Sequence, residues 1–485
     1  MRATAIEDET GANPAPLAPE STQGTPPQQP PDPLETRRSL PLATTERRLV
    51  VALGDALAAA LGCGAAYVTW EAGLGRHFAI PKLGPLFFAL AWVVALFLVD
   101  GYDVQIPASR VRSLVVVAKA APVVSFLGFL AFFAQPYRMA RPVILFSVLF
   151  GTVVVAGMRL TLARLLLSER FAKQAILAAV ETSPVLTDIL HEARFEYRVV
   201  GIVGDTLPSS NGWRHLGPVD QLPAIVRLYG AHEVIIGTEP IGGGNAVEAC
   251  FEQGIRVVRA GDLFERYKGR VQLASVDETW FQNLPMHDLS SRPYLVVRRA
   301  TDIILSALLG VPFLIALPFI ATFIKLDSPG PVFFRQGRVG QFGRRIFVLK
   351  LRTMRGDAEL SGFQWAERRD PRVTRVGRFL RATRMDELPQ LVNVFRGDMS
   401  FIGPRPERPE FVADLERLIP HYRARLAVKP GISGWAQVKD GYASSVDDSR
   451  RKLEYDLYYV KHQCLRLDLQ IVLHTLFTVM GLRGR

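Results

Sequence analysis

TDIILSALLGVPFLIALPFIATFI, residues 301–324, is one long apolar run. A bilayer core takes about 20 helical residues to cross, so this run is long enough to span. Its flanks argue against a simple crossing. Arg298 and Arg299 precede it, and Lys325, Arg335, Arg338, Arg344 and Arg345 follow. Cations at both ends favour the same, cytoplasmic side. Pro312 and Pro318 interrupt the run, and each removes a helix hydrogen bond and crowds the preceding turn. A helix that breaks at proline, dips into the membrane and returns keeps both flanks on one side, provided the freed carbonyls find partners. Residues 298–325 are therefore expected to form a re-entrant membrane helix, with a straight span as the competing reading.

Toward the N-terminus, four further apolar stretches lie at about 49–70, 84–99, 114–134 and 143–158, the second and fourth short for a span. Asp55 falls in the first, and Lys119, near Pro122, in the third. Each reads as a contact with a neighbouring helix or the interface, or else as an intramembrane functional charge. Arg37, Arg38, Arg47 and Arg48 precede the first stretch, and Arg159, Arg164, Arg170 and Lys173 follow the fourth. Both ends then favour the cytoplasm, and residues 47–170 read as four transmembrane helices. Residues 1–46 are rich in Pro, Thr, Glu and Ser and read as a disordered cytoplasmic tail. They are not a signal peptide, because the first apolar run starts only near Leu49.

Residues 171–297 change character. Apolar, β-rich runs at 175–180, 198–203, 233–237 and 255–258 alternate with helical patterns near 184–194, 219–229 and 245–253. That rhythm predicts a small parallel α/β domain of Rossmann type. The turn after its first strand reads Ala179-Val180-Glu181-Thr182-Ser183, without the glycines that let a pyrophosphate approach the backbone. The Gly242-Gly243-Gly244 run follows a later strand, where that fingerprint does not belong. The domain is expected to be degenerate, with a regulatory or docking role.

Composition fits this layout. Apolar residues make up 49% of the 485 and charged ones 21%, and the mean hydropathy is slightly positive, which is unusual for a soluble enzyme. The net charge is +12, and Leu326 onward carries 29 Lys and Arg against 18 Asp and Glu, so nearly all the excess lies there. A basic region beside membrane segments points to anionic head groups or phosphorylated substrates rather than nucleic acid. Cys63, Cys250 and Cys464 are too scattered for a disulfide framework or a zinc ribbon.

The chemistry concentrates in residues 326–485. In Asp386-Glu387-Leu388-Pro389-Gln390-Leu391 the apolar spacing of Leu388, Leu391, Val392 and Phe395 predicts a helix starting at the acidic pair, with Pro389 in its first turn. Asp386 could then be no more than an N-cap. A helix N-terminus is also an anion site, and Arg378, Arg381 and Arg384 precede this one. There a carboxylate can attack a phosphoryl group while its neighbour holds a metal. Arg405 sits between Pro404 and Pro406, as a stiffly held phosphate fork or a solvated loop residue. Lys350 and Arg352 alternate on a strand pattern and share a face, turned to phosphate or to solvent. Phe411, Val412, Leu415, Leu418, Ile419, Tyr422 and Leu426 predict an amphipathic helix, on the domain core or on the membrane surface. The apolar run from Leu469 to Leu482 leaves the same two choices.

The motifs PGPVFFRQ (329–336), LKLRTM (349–354), MDELPQL (385–391), GDMSFIGPRPE (397–407) and KPGISGWAQV (429–438) occur in this order. From about Arg298 to the end the chain thereby resembles the bacterial sugar transferases that are monotopic phosphoglycosyl transferases. The preceding part, including DETWF at 277–281, resembles their large polyprenyl glycosylphosphotransferase subfamily. The resemblance implies an α-rich catalytic domain with a re-entrant helix and amphipathic interfacial helices. It also implies transfer of a sugar 1-phosphate from a UDP-sugar, with glucose the leading expectation, to undecaprenyl phosphate with release of UMP. Asp386 would be the nucleophile that carries the phosphosugar, Glu387 the residue associated with Mg²⁺, and Arg405, Arg381, Lys350 and Arg352 the basic residues of the site. The expected setting is the bacterial inner membrane, with the catalytic domain on its cytoplasmic face and a homo-oligomer left open. A non-catalytic membrane scaffold for polysaccharide assembly and a pyrophosphate hydrolase are the alternatives.

Overall fold

A computed structural model describes residues 44–74, 84–99, 101–102, 110–134, 141–166, 172–179, 184–194, 196–204, 213–237, 244–284, 292–355, 372–440 and 445–480. Residues 1–43 of the expected tail, the Glu181-Thr182-Ser183 turn and Gly242-Gly243 lie outside the described residues, and the last three tail positions, 44–46, are helical. The described residues are mostly helical, with a five-stranded parallel sheet and two two-stranded sheets.

Four helices come first: α1 (Thr44–Leu74), α2 (Gly84–Leu98), α3 (Arg110–Ala134) and α4 (Arg141–Leu166). They pack around Ala58, Phe88, Trp92, Leu96, Ala120, Val124 and Val155, while Leu53, Leu57, Leu61, Phe126, Phe129 and Leu145 stay exposed on the outside. An apolar exterior over an apolar interior is what a lipid surrounding requires. Helices α1 and α4 approach so closely that a Cβ on Gly62 would sit 2.7 Å from the Gly151 Cα. Small residues permit such contact, and dispersion then holds helices together where no hydrophobic drive exists. At 15 residues, α2 is about 22 Å long and falls short of a bilayer core.

Asp55 resolves to a helix contact. Its two carboxylate oxygens accept hydrogen bonds from Arg159 Nε (3.0 Å) and Nη2 (2.8 Å), and Arg159 Nη1 donates to the Gly101 carbonyl at 2.9 Å. Arg159 is therefore not a flanking cation as expected, but a buried partner within α4. Lys173 is likewise engaged, 2.5 Å from Glu233. Lys119 lies exposed on α3.

The α/β domain comprises β1 (Lys173–Ala178), α5 (Pro184–Glu192), β2 (Tyr197–Val203), β3 (His215–Gly217), α6 (Leu222–Tyr229), β4 (Glu233–Ile236), α7 (Gly244–Glu252), β5 (Arg256–Arg259) and α8 (Ala260–Lys268). Its strands are parallel in the order β3-β2-β1-β4-β5, with β1 central and fully buried. Leu186, Ile189, Leu263 and Phe264 cover one face, and Leu222, Ile225, Val226 and Cys250 the other. Continuous burial of β1 on both faces explains its unalternating apolar run. The three-residue edge strand β3 escaped the pattern because it is too short to show a period.

The linker packs on the C-terminal domain. Asp277 caps α9 (Glu278–Gln282) through Trp280 N at 2.7 Å, and Trp280 packs with Val412, Leu415, Tyr422, Leu453 and Leu457.

Next, α10 (Arg292–Asp327) is a continuous 36-residue helix, about 54 Å long. Helical backbone runs without interruption through both Pro312 and Pro318. Contacts at each end hold it in place. Near the start, Arg298 donates to Ser400 Oγ (3.2 Å) and the Ile402 carbonyl, Arg299 donates to the carbonyls of Val394 and Phe395 (2.7 Å each), and Asp302 accepts from Ser400 Oγ and Phe401 N (3.0 Å each). Near the end, Phe313 and Ile324 pack with Leu351 and Leu380, and Asp327 accepts from Val376 N at 2.8 Å. Both ends thus rest on one domain, and the flanking Arg298 and Arg299 bind protein. Leu308, Leu314, Ile315, Phe319 and Phe323 are exposed along the helix. Among the described residues, four helices are long and apolar enough to cross a membrane: Glu46–Gly73, Arg110–Phe133, Pro142–Leu162 and Pro293–Asp327.

That domain continues with β6 (Phe333–Val339), β7 (Arg345–Leu351), α11 (Arg375–Ala382), α12 (Leu391–Arg396), β8 (Ser400–Ile402), α13 (Pro409–Leu418), β9 (Gly431–Ser433), α14 (Trp435–Lys439), α15 (Val446–His462) and α16 (Leu465–Met480). The amphipathic pattern at 411–426 splits into α13 and a 3₁₀ turn, Tyr422–Ala427. Val412, Leu415, Ile419 and Tyr422 enter the core, so this face does not lie on a membrane surface. In α16, Leu467 and Ile471 are also buried, against Trp435, Tyr459 and Val460, while Arg466 stacks 4.3 Å over the Phe97 ring of α2. The α/β domain docks on α15 through Glu265, which accepts from Lys461 Nζ (2.9 Å) and pairs with His462 Nε2 (2.8 Å), and through Arg270–Glu454 at 2.9 Å.

Candidate active site

The acidic pair lies in a 3₁₀ turn, Met385–Gln390, and the α-helix begins only at Leu391. The expected helix start at the pair is thus displaced. Arg384, at φ 60°, takes the capping position, so Asp386 is not an N-cap. Pro389 lacks an N–H and fits a turn whose bonds are short-range. Val394 and Leu391 anchor α12 in the core, which leaves both carboxylates buried at the turn.

The two carboxylates have opposite surroundings. Glu387 Oε1 accepts from Arg405 Nη2 at 2.8 Å and from Lys350 Nζ at 3.3 Å, and Arg384 Nη1 lies 3.9 Å from Oε2. Burial alone would raise this carboxyl, but Arg405 and Lys350 outweigh it and hold it well below the usual carboxylate range. Asp386 makes no hydrogen bond or ion pair among the described residues. Burial and the neighbouring Glu387 charge push it up, against the pull of Lys350, Arg381 and Arg405. Arg381, on α11, likewise makes no side-chain bond among the described residues and remains available to an incoming anion. An unattached carboxylate beside cations neutralised only in part can attack a phosphoryl group brought there as an anion.

Lys350 comes from β7, which pairs antiparallel with β6 so that Phe334 faces Lys350 across the hairpin. Burial lowers its pKa and Glu387 opposes that shift. Arg405 comes from the loop after β8. Strands β8 and β9 pair in parallel, Ser400 with Gly431 and Ile402 with Ser433. A Cβ on Gly431 would stand 2.2 Å from Gly403 N, so only glycine lets the Gly403-Pro404-Arg405-Pro406 and Lys429-Pro430-Gly431 motifs meet. Arg338 donates to the Pro406 carbonyl at 3.0 Å, and its own pKa is pushed down to about 10, chiefly by burial.

Arg352 is not brought to the pair. Its guanidinium is buried against the end of α10, donating to the carbonyls of Ser328 (2.6 Å), Pro329 (2.9 Å) and Ile324 (3.4 Å). A helix end leaves carbonyls without partners, and a five-donor fork satisfies several at once. The strand ends at Leu351, so the shared face expected from alternation does not carry Arg352 into the site. Arg338 and Arg425, which hold the Arg405 loop, carry no sequence signal, since each is remote from the motif it supports.

Among the described residues no group of three or more His, Cys, Asp or Glu converges. A dedicated metal cage is thus missing from these residues. Glu387 Oε2, with its nearest cation 3.9 Å away, still offers a free oxygen. That suits Mg²⁺, which binds through one or two carboxylates with water and substrate phosphates.

Residues 293–482 match the family described as bacterial sugar transferase. A UDP-N-acetylgalactosamine-undecaprenyl-phosphate N-acetylgalactosaminephosphotransferase of Aeromonas hydrophila is 44% identical over 232 residues, which is 48% of this chain and 54% of that protein. A UDP-glucose:undecaprenyl-phosphate glucose-1-phosphate transferase of Escherichia coli (strain K12) is 34% identical over 289 residues, 58% of this chain and 61% of that protein. The exopolysaccharide production protein PSS of Rhizobium leguminosarum bv. phaseoli is 44% identical over 200 residues, 39% of this chain and 98% of that protein. The chain spans little more than half the length of the first two. With the acidic turn and its cations inside the matched region, and one relative covered almost end to end, the chain belongs to the bacterial sugar transferase family.

Proposed function

We propose that this protein transfers a sugar 1-phosphate from a UDP-sugar to undecaprenyl phosphate, the initiating step of exopolysaccharide or another surface glycan. The observation that carries the reading is the buried, unbonded Asp386 carboxylate beside a Glu387 held by Arg405 and Lys350. An Asp386 oxygen attacks the sugar-bearing phosphorus, the bond to the second phosphate breaks, and UMP leaves with that electron pair. The lipid phosphate then attacks the same phosphorus, and the Asp386 carboxylate is released unchanged. Arg405 and Arg381 bind the phosphate oxygens and stabilise the charge that develops on them. Glu387 orients Arg405 and Lys350, and its other oxygen is the place for Mg²⁺, which would neutralise the diphosphate when bound.

Both ends of α10 engaging one domain supports a re-entrant or surface-lying helix, with the domain on one side of the membrane. We assign that side to the cytoplasm and the membrane to the bacterial inner membrane, where UDP-sugars and the lipid carrier meet. UDP-glucose is the expected donor, and UDP-N-acetylgalactosamine, named for a relative, is its main competitor. UMP release by the detergent-solubilised protein with Mg²⁺, over a panel of UDP-sugars with and without undecaprenyl phosphate, tests the reading. Lipid-dependent release with one sugar, lost in a folded Asp386→Asn variant, supports it. Multiple turnovers without lipid would indicate a hydrolase, and no release from folded protein a scaffold.

A further inference from the structure

We propose that Arg425 is a positioning residue for Arg405, acting through the main chain, with Asp456 fixing Arg425 in place. This rests on the reading that Arg405 binds the phosphates of the donor. Arg425 Nη2 donates to the Arg405 carbonyl at 3.0 Å. The same guanidinium pairs with Asp456 Oδ2 at 2.7 Å, and its Nη1 donates to Tyr422 Oη at 2.9 Å. Arg425 is 5% exposed, Asp456 2% and Tyr422 4%, so water does not replace these bonds.

The prolines on either side leave one important freedom at Arg405. They restrict the neighbouring φ angles and bias Arg405 itself toward extended backbone. The peptide plane between Arg405 and Pro406 can still rotate about the Arg405 ψ angle. A bond to that carbonyl fixes this plane, and with it the direction in which the Arg405 side chain leaves the backbone. Arg338 holds the next carbonyl, that of Pro406, so two guanidinium groups grip consecutive peptide units.

Energetics favour positioning over simple stability. A buried arginine–aspartate pair gains little over apolar residues of the same volume, because desolvating both charges offsets their attraction. What an apolar replacement could not supply is the donor to the Arg405 carbonyl. A looser loop would let the Arg405 fork miss a phosphate by a fraction of an ångström, which bidentate binding does not tolerate.

The test uses the full chain in detergent, with UDP binding by calorimetry and donor kcat/KM from UMP release. Arg425→Gln and the milder Asp456→Asn, which removes the charge paired with Arg425 and keeps the side chain's shape, are made with Arg405 intact and in an Arg405→Ala background. With Arg405 present, each should weaken UDP binding and lower donor kcat/KM, about tenfold for Arg425→Gln and less for Asp456→Asn. In the Arg405→Ala background each should change UDP binding less than twofold, because the group being positioned is gone. Equal factors in both backgrounds, or no effect with Arg405 present, would overturn the proposal. If Arg425→Gln does not fold, Asp456→Asn decides by the same comparison. Wild-type protein that binds UDP but releases no UMP would sink the transferase reading alone, and the binding factors would still judge the clamp. Wild-type protein that does not bind UDP would overturn both.

Discussion

Replacing Arg352 with Met should cost the protein stability and leave donor recognition nearly intact. The side chain is 7% exposed and donates two short hydrogen bonds, at 2.6 and 2.9 Å, to carbonyls just beyond α10, with a third contact at 3.4 Å. A hydrogen bond to a charged group contributes about 1.5–3 kcal/mol net. Taking the low end for the two short bonds, and nothing for the long one, gives about 3 kcal/mol. The favourable charge at a helix C-terminus adds about 0.3–1 kcal/mol. For a domain of this size each kcal/mol moves the thermal midpoint by about 2–4 °C, so the combined loss should lower it by about 7–16 °C. The assay is the unfolding midpoint of detergent-solubilised protein, with UMP release per folded molecule measured well below it. Donor KM should stay within about threefold of wild type for Arg352→Met. Lys350→Met, which removes a cation 3.3 Å from Glu387, should instead lower kcat/KM by about tenfold or more. An unchanged midpoint with a tenfold rise in donor KM for Arg352→Met would refute the capping argument and return Arg352 to the phosphate face.

The acid limb of the pH–rate profile should lie above the ordinary carboxylate range, since burial and Glu387 raise Asp386 and only its ionised form attacks. Glu387, held low by Arg405 and Lys350, stays ionised across that range. Glu387→Gln should lower the rate and move the acid limb to lower pH, because one cause of the raised Asp386 value is removed; an unmoved limb would take Asp386 out of the nucleophile role. In the helical bundle, Asp55→Asn strands a buried Arg159 and should cost about 3–5 kcal/mol, read as lost folded yield and a lower midpoint. The double change Asp55→Leu with Arg159→Met should recover most of that loss, and a double variant no better than the single one would show that the pair is not the source.

How legible the molecule was depended on the range over which each signal acts. The parallel sheet could be read because every buried strand carries its own apolar run, whereas β3 is too short to show one. The acidic pair and Arg405 stood out through local neighbours, arginines before the pair and prolines around Arg405. Lys350 and Arg352 looked equivalent, being two residues apart on one strand pattern. Their separation comes from two distant elements: Glu387 draws Lys350, and the unsatisfied carbonyls at the end of α10 draw Arg352. Periodicity at 411–426 correctly marked one apolar face but could not say what covered it, and Trp280 and Leu453 turned out to do so.

Covalent neighbours and residue type marked the apolar helices, the α/β rhythm, the basic C-terminal region and the acidic pair, because hydrophobic period, backbone restriction and charge are properties of short stretches. Only the tertiary structure decided that Asp386 is unattached among the described residues while Glu387 is held, that Arg159 pairs with Asp55 across the bundle, that both ends of α10 rest on one domain, and that Arg425 and Asp456 stand behind Arg405. These depend on which side chains meet across tens or hundreds of residues, and buried charges choose their partners by the cost of having none.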